Sequence, residues 1–180
     1  MRDSRAENIC NCLDNNRLNV YREGMSGRLR DELKQTKPFV SLRAEAMLNL
    51  QRTADELTRE FADALKPVDI SPSQYNVLRI LRGAGENGWT CSEIGERMVT
   101  RDPDVTRLVD RLERRDLVQR DRIAKDRRVV NVRITQKGVN MLTDLDPVLA
   151  RLERELMVRL DDDRLKLLIE LLEDARGVPK

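Results

Sequence analysis

The sequence predicts a mainly α-helical fold that carries one small β-ribbon, an α+β class. Apolar residues recur at three- and four-residue spacing over two long segments, as on one face of an amphipathic helix. Capping signals indicate several shorter helices, and one run rich in Val and Ile is typical of a strand. The chain has 180 residues, of which 39% are apolar and 37% charged. This composition supports a folded core beneath a very polar surface.

The first long helix is predicted over about residues 41–66, and it ends before Pro67. Its apolar residues share one face and are Met47, Leu50, Ala54, Leu57, Phe61 and Ala64. Before it, residues 1–38 are rich in Asn and Gly and have few apolar anchors, which predicts a weakly structured N-terminal extension. The folded domain is therefore expected over residues 39–177. Met25 stays open as an alternative start of translation.

The last part of the chain, about residues 135–176, is predicted to be helical again. Thr135 is the expected N-cap of its first helix, Pro147 is expected to bend that helix, and Asp161 or Asp162 caps the next. The apolar seams of these two helices contain Leu142, Leu145, Leu149, Leu152 and Leu156, then Leu165, Leu168 and Leu172. A seam at such near-heptad spacing needs a partner, in the same subunit or across a dimer.

Three shorter helices and a ribbon lie between the long helices. The helix starts are indicated by polar caps followed by Pro or by Glu, at Ser71-Pro72, Thr90–Glu93 and Asp102-Pro103. Two β-prone runs joined by a polar turn follow, at Leu117–Asp121, Ala124–Asp126 and Val129–Ile134. In this order the elements form a winged helix-turn-helix, with a DNA-binding core over about residues 70–135.

The composition disfavours most classes of catalytic chemistry. The chain has no histidine, so it lacks triads that use a His base and every His-ligated metal site. Three thiols, Cys10, Cys12 and Cys91, neither complete a four-ligand zinc site nor indicate a disulfide framework. The Gly-x-Gly-x-x-Gly match at residues 83–88 follows a helix instead of a strand, so it predicts a flexible loop. We expect no enzyme, no metal and no cofactor.

Two further classes are disfavoured. Aromatic residues make up 3% of the chain, so modules that stack single-stranded bases on exposed rings are disfavoured. Because no more than three apolar residues occur in a row, the sequence contains neither a transmembrane helix nor the apolar core of a signal peptide. We therefore expect a cytoplasmic protein without membrane contact.

Positive charge is concentrated in one window of the sequence. Residues 97–133 contain 12 basic and 7 acidic side chains, a net charge of +5, against +2 for the whole chain. The third short helix and the ribbon lie in this window, where a phosphate-binding surface needs such a surplus. The predicted DNA contacts on or before the helix are Thr100, Arg101, Asp104, Thr106, Arg107 and Arg111. Those on the ribbon, called the wing, are Arg120, Arg122, Lys125, Asp126, Arg127 and Arg128.

The predicted contact residues can be interpreted as a DNA-binding surface or as a solvated helix with internal ion pairs. The helix enters the major groove, where an arginine fork suits guanine or a phosphate, and the wing lies along the minor groove. In the alternative, the helix arginines pair with Asp104, Asp110 or Glu113 on a solvated helix. The five cations of the wing favour the DNA-binding interpretation, because a solvated helix has no need of them.

The run Asp126–Gly138, DRRVVNVRITQKG, resembles the signature of the MarR family of bacterial transcription regulators. That signature is an Asp-x-Arg wing, a strand, and then Leu/Ile-Thr-x-x-Gly at the start of the next helix. Val105–Glu113 is similar to the recognition helix of that family, and Ser73–Leu81 to the helix before it. The family usually has Gly where this chain has Asp116. Because Asp tolerates left-handed backbone, we expect the turn to be kept.

The resemblance, which spans about residues 41–175, implies a homodimer with interlocking N- and C-terminal helices. Each subunit would place its recognition helix and wing, Arg107, Asp126 and Arg128 among them, on one half of a pseudo-palindromic double-stranded operator. The resemblance also implies a regulator, most often a repressor, that releases DNA when a small, often aromatic or phenolic, ligand binds. It transfers no ligand-binding residue to this chain.

Two alternatives stay open. Some members of the family sense peroxides through an N-terminal cysteine, so Cys10 and Cys12 allow a redox-sensing regulator. The second alternative is a helical interaction protein whose basic ribbon binds an acidic partner without reading DNA. Cys91, which lies between two capping residues, is more typical of a small apolar filler.

Overall fold

A computed structural model describes residues 28–100, 104–123 and 126–177, with the backbone alone at 122, 123 and 126–129. These residues are mainly helical and include a two-stranded antiparallel ribbon, which confirms the predicted α+β class. The chain divides into two compact units, residues 1–56 and 57–180. The predicted domain start at residue 39 stays a prediction.

The first unit contains a short helix, α1 (Leu29–Glu32), and the beginning of the long helix α2 (Leu42–Leu65). Leu29 is buried. The N-terminal part of α2 leaves apolar side chains open, with Met47 62% exposed and Leu50 43% exposed. Within this unit the predicted apolar seam therefore lies on a helix, and its side chains Met47 and Leu50 remain exposed to solvent.

The second unit begins with the end of α2 and a 3₁₀ turn (Lys66–Val68), followed by α3 (Pro72–Ala84) and a second 3₁₀ turn (Gly85–Asn87). Ser71 caps α3 as predicted: its Oγ accepts from the Gln74 amide at 3.2 Å, and the Gln74 side chain accepts from the Ser71 amide at 2.9 Å. This reciprocal pair satisfies two amides that the first turn leaves unpaired.

The two helices after α3 are α4 (Cys91–Arg97) and α5 (Val105–Glu113). The predicted capping box at the start of α4 is present. The start of α5 differs from the prediction, which placed it at Asp102-Pro103. Asp104 is the N-cap, because its carboxylate accepts from the Arg107 amide at 3.1 Å.

The wing consists of β1 (Val118–Ile123) and β2 (Asp126–Ile134), which pair from Val118 opposite Ile134 to the tip. Both strands are longer than predicted, and a third segment joins them. Trp89 exchanges two backbone hydrogen bonds with Val132, at 3.0 and 2.8 Å. Gly88 allows this approach, because a Cβ there would lie 2.4 Å from the Val132 carbonyl oxygen.

Two helices complete the chain, α6 (Gln136–Met157) and α7 (Asp162–Arg176). Thr135 caps α6 as predicted, and Asp161 is the N-cap of α7, one of the two predicted candidates. Gly138, the glycine of the Thr-x-x-Gly motif, has no room for a side chain, since a Cβ would lie 2.4 Å from the Leu117 carbonyl oxygen. The residue before Leu117, Asp116, has a φ of 57°, so the left-handed turn expected there is confirmed.

The core of the second unit lies where α3, α4, α5, the wing and α6 meet. Its fully buried side chains include Leu65, Val77, Leu78, Leu81, Ile94, Val109, Leu112, Leu117, Val118, Val132 and Leu142. Among the residues that the structure describes, no helix is long and apolar enough to cross a membrane. The core therefore fixes α5 and the wing on one body, which positions the candidate site.

Candidate nucleic-acid interface

The helix α5 has one buried and one exposed face. Leu108, Val109 and Leu112 are buried in the core, while Thr106 and Arg107 are open to solvent. Thr106 and Arg107, two of the predicted DNA contacts, thus lie on the exposed face. The outer face therefore offers hydroxyl and guanidinium groups, which are suited to base edges and phosphates in a major groove.

Within the described part of the chain, the contacts of the arginines on this face come from α5 and its N-cap. Arg107 Nε lies 2.8 Å from an Asp104 carboxylate oxygen, one turn back, yet its side chain is 78% exposed. Arg114 Nε donates to the Asp110 carbonyl oxygen at 3.3 Å. Arg111 is exposed, and the described part of the chain supplies it with no ion pair. DNA could therefore reach these guanidinium groups without breaking a contact between elements.

Arg120, on β1, has different surroundings. Its Nη2 donates to the Asp110 carboxylate at 2.6 Å, and its Nη1 donates to the Glu113 carboxylate. Burial lowers the pKa of this guanidinium, but the hydrogen bonds and charges of the two carboxylates outweigh that effect and raise its pKa above the ordinary value. Arg120 thus clamps the wing to α5, and direct DNA contact by this residue stays a prediction.

The other side of the wing is fixed to the turn before α4. The Asn131 side chain donates to the Asn87 carbonyl oxygen at 2.9 Å. Arg133 pairs with the Asp121 carboxylate across the ribbon and also donates to the Glu86 carbonyl oxygen at 3.4 Å. The base of the wing is therefore anchored on both sides, which limits how far it can move relative to α5.

The structure gives less detail for the remaining predicted DNA contacts. Thr100 is exposed after α4, whereas Arg101 and Lys125 lie outside the described residues. The backbone of the other wing residues lies in β1 or β2, and their side chains are not described: Arg122, Asp126, Arg127 and Arg128. Cys10 and Cys12 also lie outside the described residues.

A tryptophan that the sequence did not single out supports the wing. Trp89 pairs with β2 through its backbone, and its ring lies under Arg97, whose Cζ is 4.0 Å from the ring centroid. Arg97 also donates to the Glu93 carbonyl oxygen at 2.7 Å. The signal that could have revealed this role is the position of a single Trp between a glycine and a capping box.

The helix-turn-helix is also joined to α6. Arg82 on α3 makes a bidentate ion pair with Asp146 on α6, with contacts of 2.8 and 3.1 Å. Beside it, burial raises the pKa of Tyr75, whose ring meets Phe61 edge-on at 5.3 Å between centroids. Across the described residues, no cluster of Cys, Asp or Glu is arranged to hold a metal ion.

Part of the chain is similar in sequence to known transcription regulators. A model of the MarR family matches residues 70–130. The HTH-type transcriptional repressor MdtR of Bacillus subtilis is 33% identical over 97 residues, which cover 54% of this chain and 61% of MdtR. The chain therefore matches less than two thirds of the length of that relative.

Two solved structures are similar over most of their length. A MarR transcription factor from Planctomyces limnophilus is 38% identical, with a TM-score of 0.59, and 75% of this chain covers 98% of it. A mutant MarR from E. coli complexed with operator DNA is 26% identical, with a TM-score of 0.65, and 72% of this chain covers 91% of it. Both matches agree with the helix-turn-helix and wing described above.

Proposed function

The chain belongs to the MarR family of transcription regulators, and we propose that it is a homodimeric repressor of a pseudo-palindromic operator. The observation that carries this proposal is the exposed guanidinium face of α5 beside the anchored wing. An α-helix fits the major groove, where an arginine can contact O6 and N7 of guanine. The wing then lies over the adjacent minor groove or its phosphates.

The homodimer is supported by apolar side chains that this subunit leaves open. Met47 and Leu50 are exposed on α2, and α7 exposes Leu167, Ile169 and Leu171 at 45%, 56% and 56%. Large apolar side chains open along helices are typical of a protein–protein interface. A second copy presents the same exposed apolar side chains, as a two-fold interface requires.

The proposed regulation is release of the operator by a small aromatic or phenolic ligand. It rests on the family resemblance and on no pocket residue of this chain. A ligand that binds only the DNA-free state would shift the equilibrium away from the operator complex. Repression itself is supported by the name of MdtR, a repressor that is similar in sequence.

A salt-titrated fluorescence anisotropy assay tests the DNA-binding part. The probe is the DNA upstream of the chain's own gene, and the control is a scrambled duplex of equal length. We expect binding to the first to be about a thousandfold tighter, with a steep salt dependence. Equal and weak binding to both duplexes would contradict operator recognition. A panel of phenols and phenolic acids, added to the bound probe, then tests release.

Light scattering of seam variants tests the dimer. Met47→Asp with Leu50→Asp places two charges on the α2 seam, so we expect a monomer that has lost most operator affinity. Val40→Asp is the matched control, because Val40 is 95% exposed but lies outside α2. A double variant that stays dimeric would remove α2 from the interface.

A further inference from the structure

The turn that follows the recognition helix α5 receives contacts from the end of α2. Arg115 Nη2 donates to the Val68 carbonyl oxygen at 2.9 Å, and its Nη1 donates to that of Asp69. These two carbonyls lie at the end of the 3₁₀ turn that continues α2. One half-buried side chain thus joins the turn after α5 to the 3₁₀ turn that follows α2.

The same turn is also bound to the start of α6. Lys137 Nζ donates to the Arg115 carbonyl oxygen at 2.8 Å, and Thr135 Oγ1 donates to that of Asp116 at 2.6 Å. Two consecutive residues after α5 therefore connect it to the 3₁₀ turn that follows α2 and to the start of α6. These hydrogen bonds add to the core packing of Leu108, Val109 and Leu112 in holding α5.

Backbone geometry indicates that the link is specifically built. Three non-glycine residues among those described have positive φ, and two of them lie at the two ends of the link: Asp69 at 54° and Asp116 at 57°. The left-handed region is unfavourable for a residue with a Cβ and persists where surrounding contacts hold it. The carbonyls of these two residues are the ones that accept hydrogen bonds from Arg115 and Thr135.

We propose that Arg115 is a positioning residue that fixes the orientation of α5 relative to the 3₁₀ turn after α2 and the start of α6, and so sets the half-site spacing that the dimer accepts. The inference rests on the proposed function, because half-site spacing has meaning only for a dimer on an operator. In a helix-turn-helix dimer, two recognition helices enter grooves about one helical turn of DNA apart. If the link is lost, each helix can tilt, and duplexes of the wrong spacing become acceptable.

The experiment measures binding of the full chain to the upstream duplex, in which footprinting first locates the two half-sites. The spacer between the half-sites is kept at its natural length or altered by one base pair. We expect wild type to bind the natural spacer more tightly than the altered one. In Arg115→Ala this ratio of affinities should be about tenfold smaller, as is typical of coupling between two sites. Arg115→Lys keeps the charge but cannot reach both carbonyls as a planar fork does, so we expect it to lose discrimination too. Full discrimination in Arg115→Lys would mean that charge alone matters and would overturn the proposal.

A DNA-free measurement keeps the inference testable if a variant is unstable. Hydrogen exchange of the last turn of α5 should quicken in Arg115→Ala, while the core amides of α3 keep their protection. Uniform loss of protection would mean general destabilisation and would overturn a positioning role. If wild type binds no duplex specifically, the proposed function fails and this inference falls with it. If wild type discriminates spacers and Arg115→Ala does so equally, only this inference fails.

Discussion

The arginines on the outer face of α5 and the arginines at the base of the wing carry the same charge in different surroundings. Arg107 and Arg111 are exposed, and the contact described for Arg107 comes from its own helix. Arg120 and Arg133 are bound to carboxylates from other strands or helices. The first pair is accessible to DNA, whereas the second pair stabilises contacts of the wing with α5 and between its own strands.

This difference changes how the basic window is understood. Of its 7 acidic residues, Asp110, Glu113 and Asp121 are bound by wing arginines. Two of these carboxylates lie on α5, where they would repel a phosphate backbone. Arg120 neutralises them, so the cationic character of the outer face depends on a residue that is itself turned inward.

The largest effect is expected from removing the exposed pair. Arg107→Ala with Arg111→Ala should lower operator affinity by about 2–6 kcal/mol, because a base-reading arginine contributes about 1–3 kcal/mol. The free energy of unfolding should change little, since neither side chain holds another element. Anisotropy and thermal unfolding measure the two quantities. Arg151→Ala with Arg159→Ala removes the same charge from exposed positions elsewhere, and an equal loss there would reduce the effect to net charge.

A smaller effect on two quantities is expected from Arg120→Ala. The clamp is partly buried, so the free energy of unfolding should fall by about 1–2 kcal/mol, between the values for exposed and buried ion pairs. Binding to operator and scrambled DNA should weaken together, because Asp110 and Glu113 are left unneutralised. Adding Asp110→Asn and Glu113→Gln should restore much of the DNA binding. If that triple variant binds no better, the clamp acts through wing position instead of charge.

Local signals predicted most of the fold. Capping residues act within one turn, so the starts of α3, α4, α6 and α7 were read correctly from Ser71, Thr90, Thr135 and Asp161. The start of α5 differs from the prediction because Asp102 and Asp104 are both acceptable cap residues in the sequence. Asp102 lies outside the described residues, and Asp104 accepts the hydrogen bond from the Arg107 amide. The prediction that the turn at Asp116 is left-handed is confirmed, because Asp tolerates positive φ better than most residues.

Contacts between distant residues could not be predicted from the sequence. Arg120 and Arg107 are the same residue type in one basic window, and nothing local distinguishes the clamp from the open side chain. The pairing of Trp89 with Val132 joins residues far apart in sequence, so neither alternation nor capping indicates it. The candidate site is thus predicted as a region, whereas the role of each arginine within it requires the structure.

The variant Arg133→Ala tests whether the two anchored arginines of the wing contribute equally to stability and to operator affinity. Its ion pair with Asp121 is more exposed than the Arg120 clamp, so Arg133→Ala should lower the free energy of unfolding by about 0.5–1 kcal/mol. Operator affinity should fall less than in Arg120→Ala, because Asp121 lies on the wing and not on α5. Chemical denaturation measures the first quantity and anisotropy the second. A loss of affinity as large as that of Arg120→Ala would show that wing position dominates.

The smallest effect concerns Glu93, whose carbonyl oxygen accepts from Arg97, the arginine that lies over Trp89. Hydrogen bonds from the Thr90 amide and then the Thr90 hydroxyl lower the pKa of Glu93 below its ordinary value of 4.5. A lowered folded-state pKa stabilises the fold above pH 4.5, and this contribution is lost as the pH falls through the folded value. Glu93→Gln should therefore lower Tm slightly at pH 7 and lose its difference from wild type as the pH falls through the folded-state pKa of Glu93. The neutral Ser71–Gln74 box of α3 provides the control, because its variant Gln74→Ala should show a difference that does not depend on pH. A Glu93→Gln difference that stays constant from pH 7 to 3 would mean that the carboxylate charge plays no part in holding the α4 side of the wing.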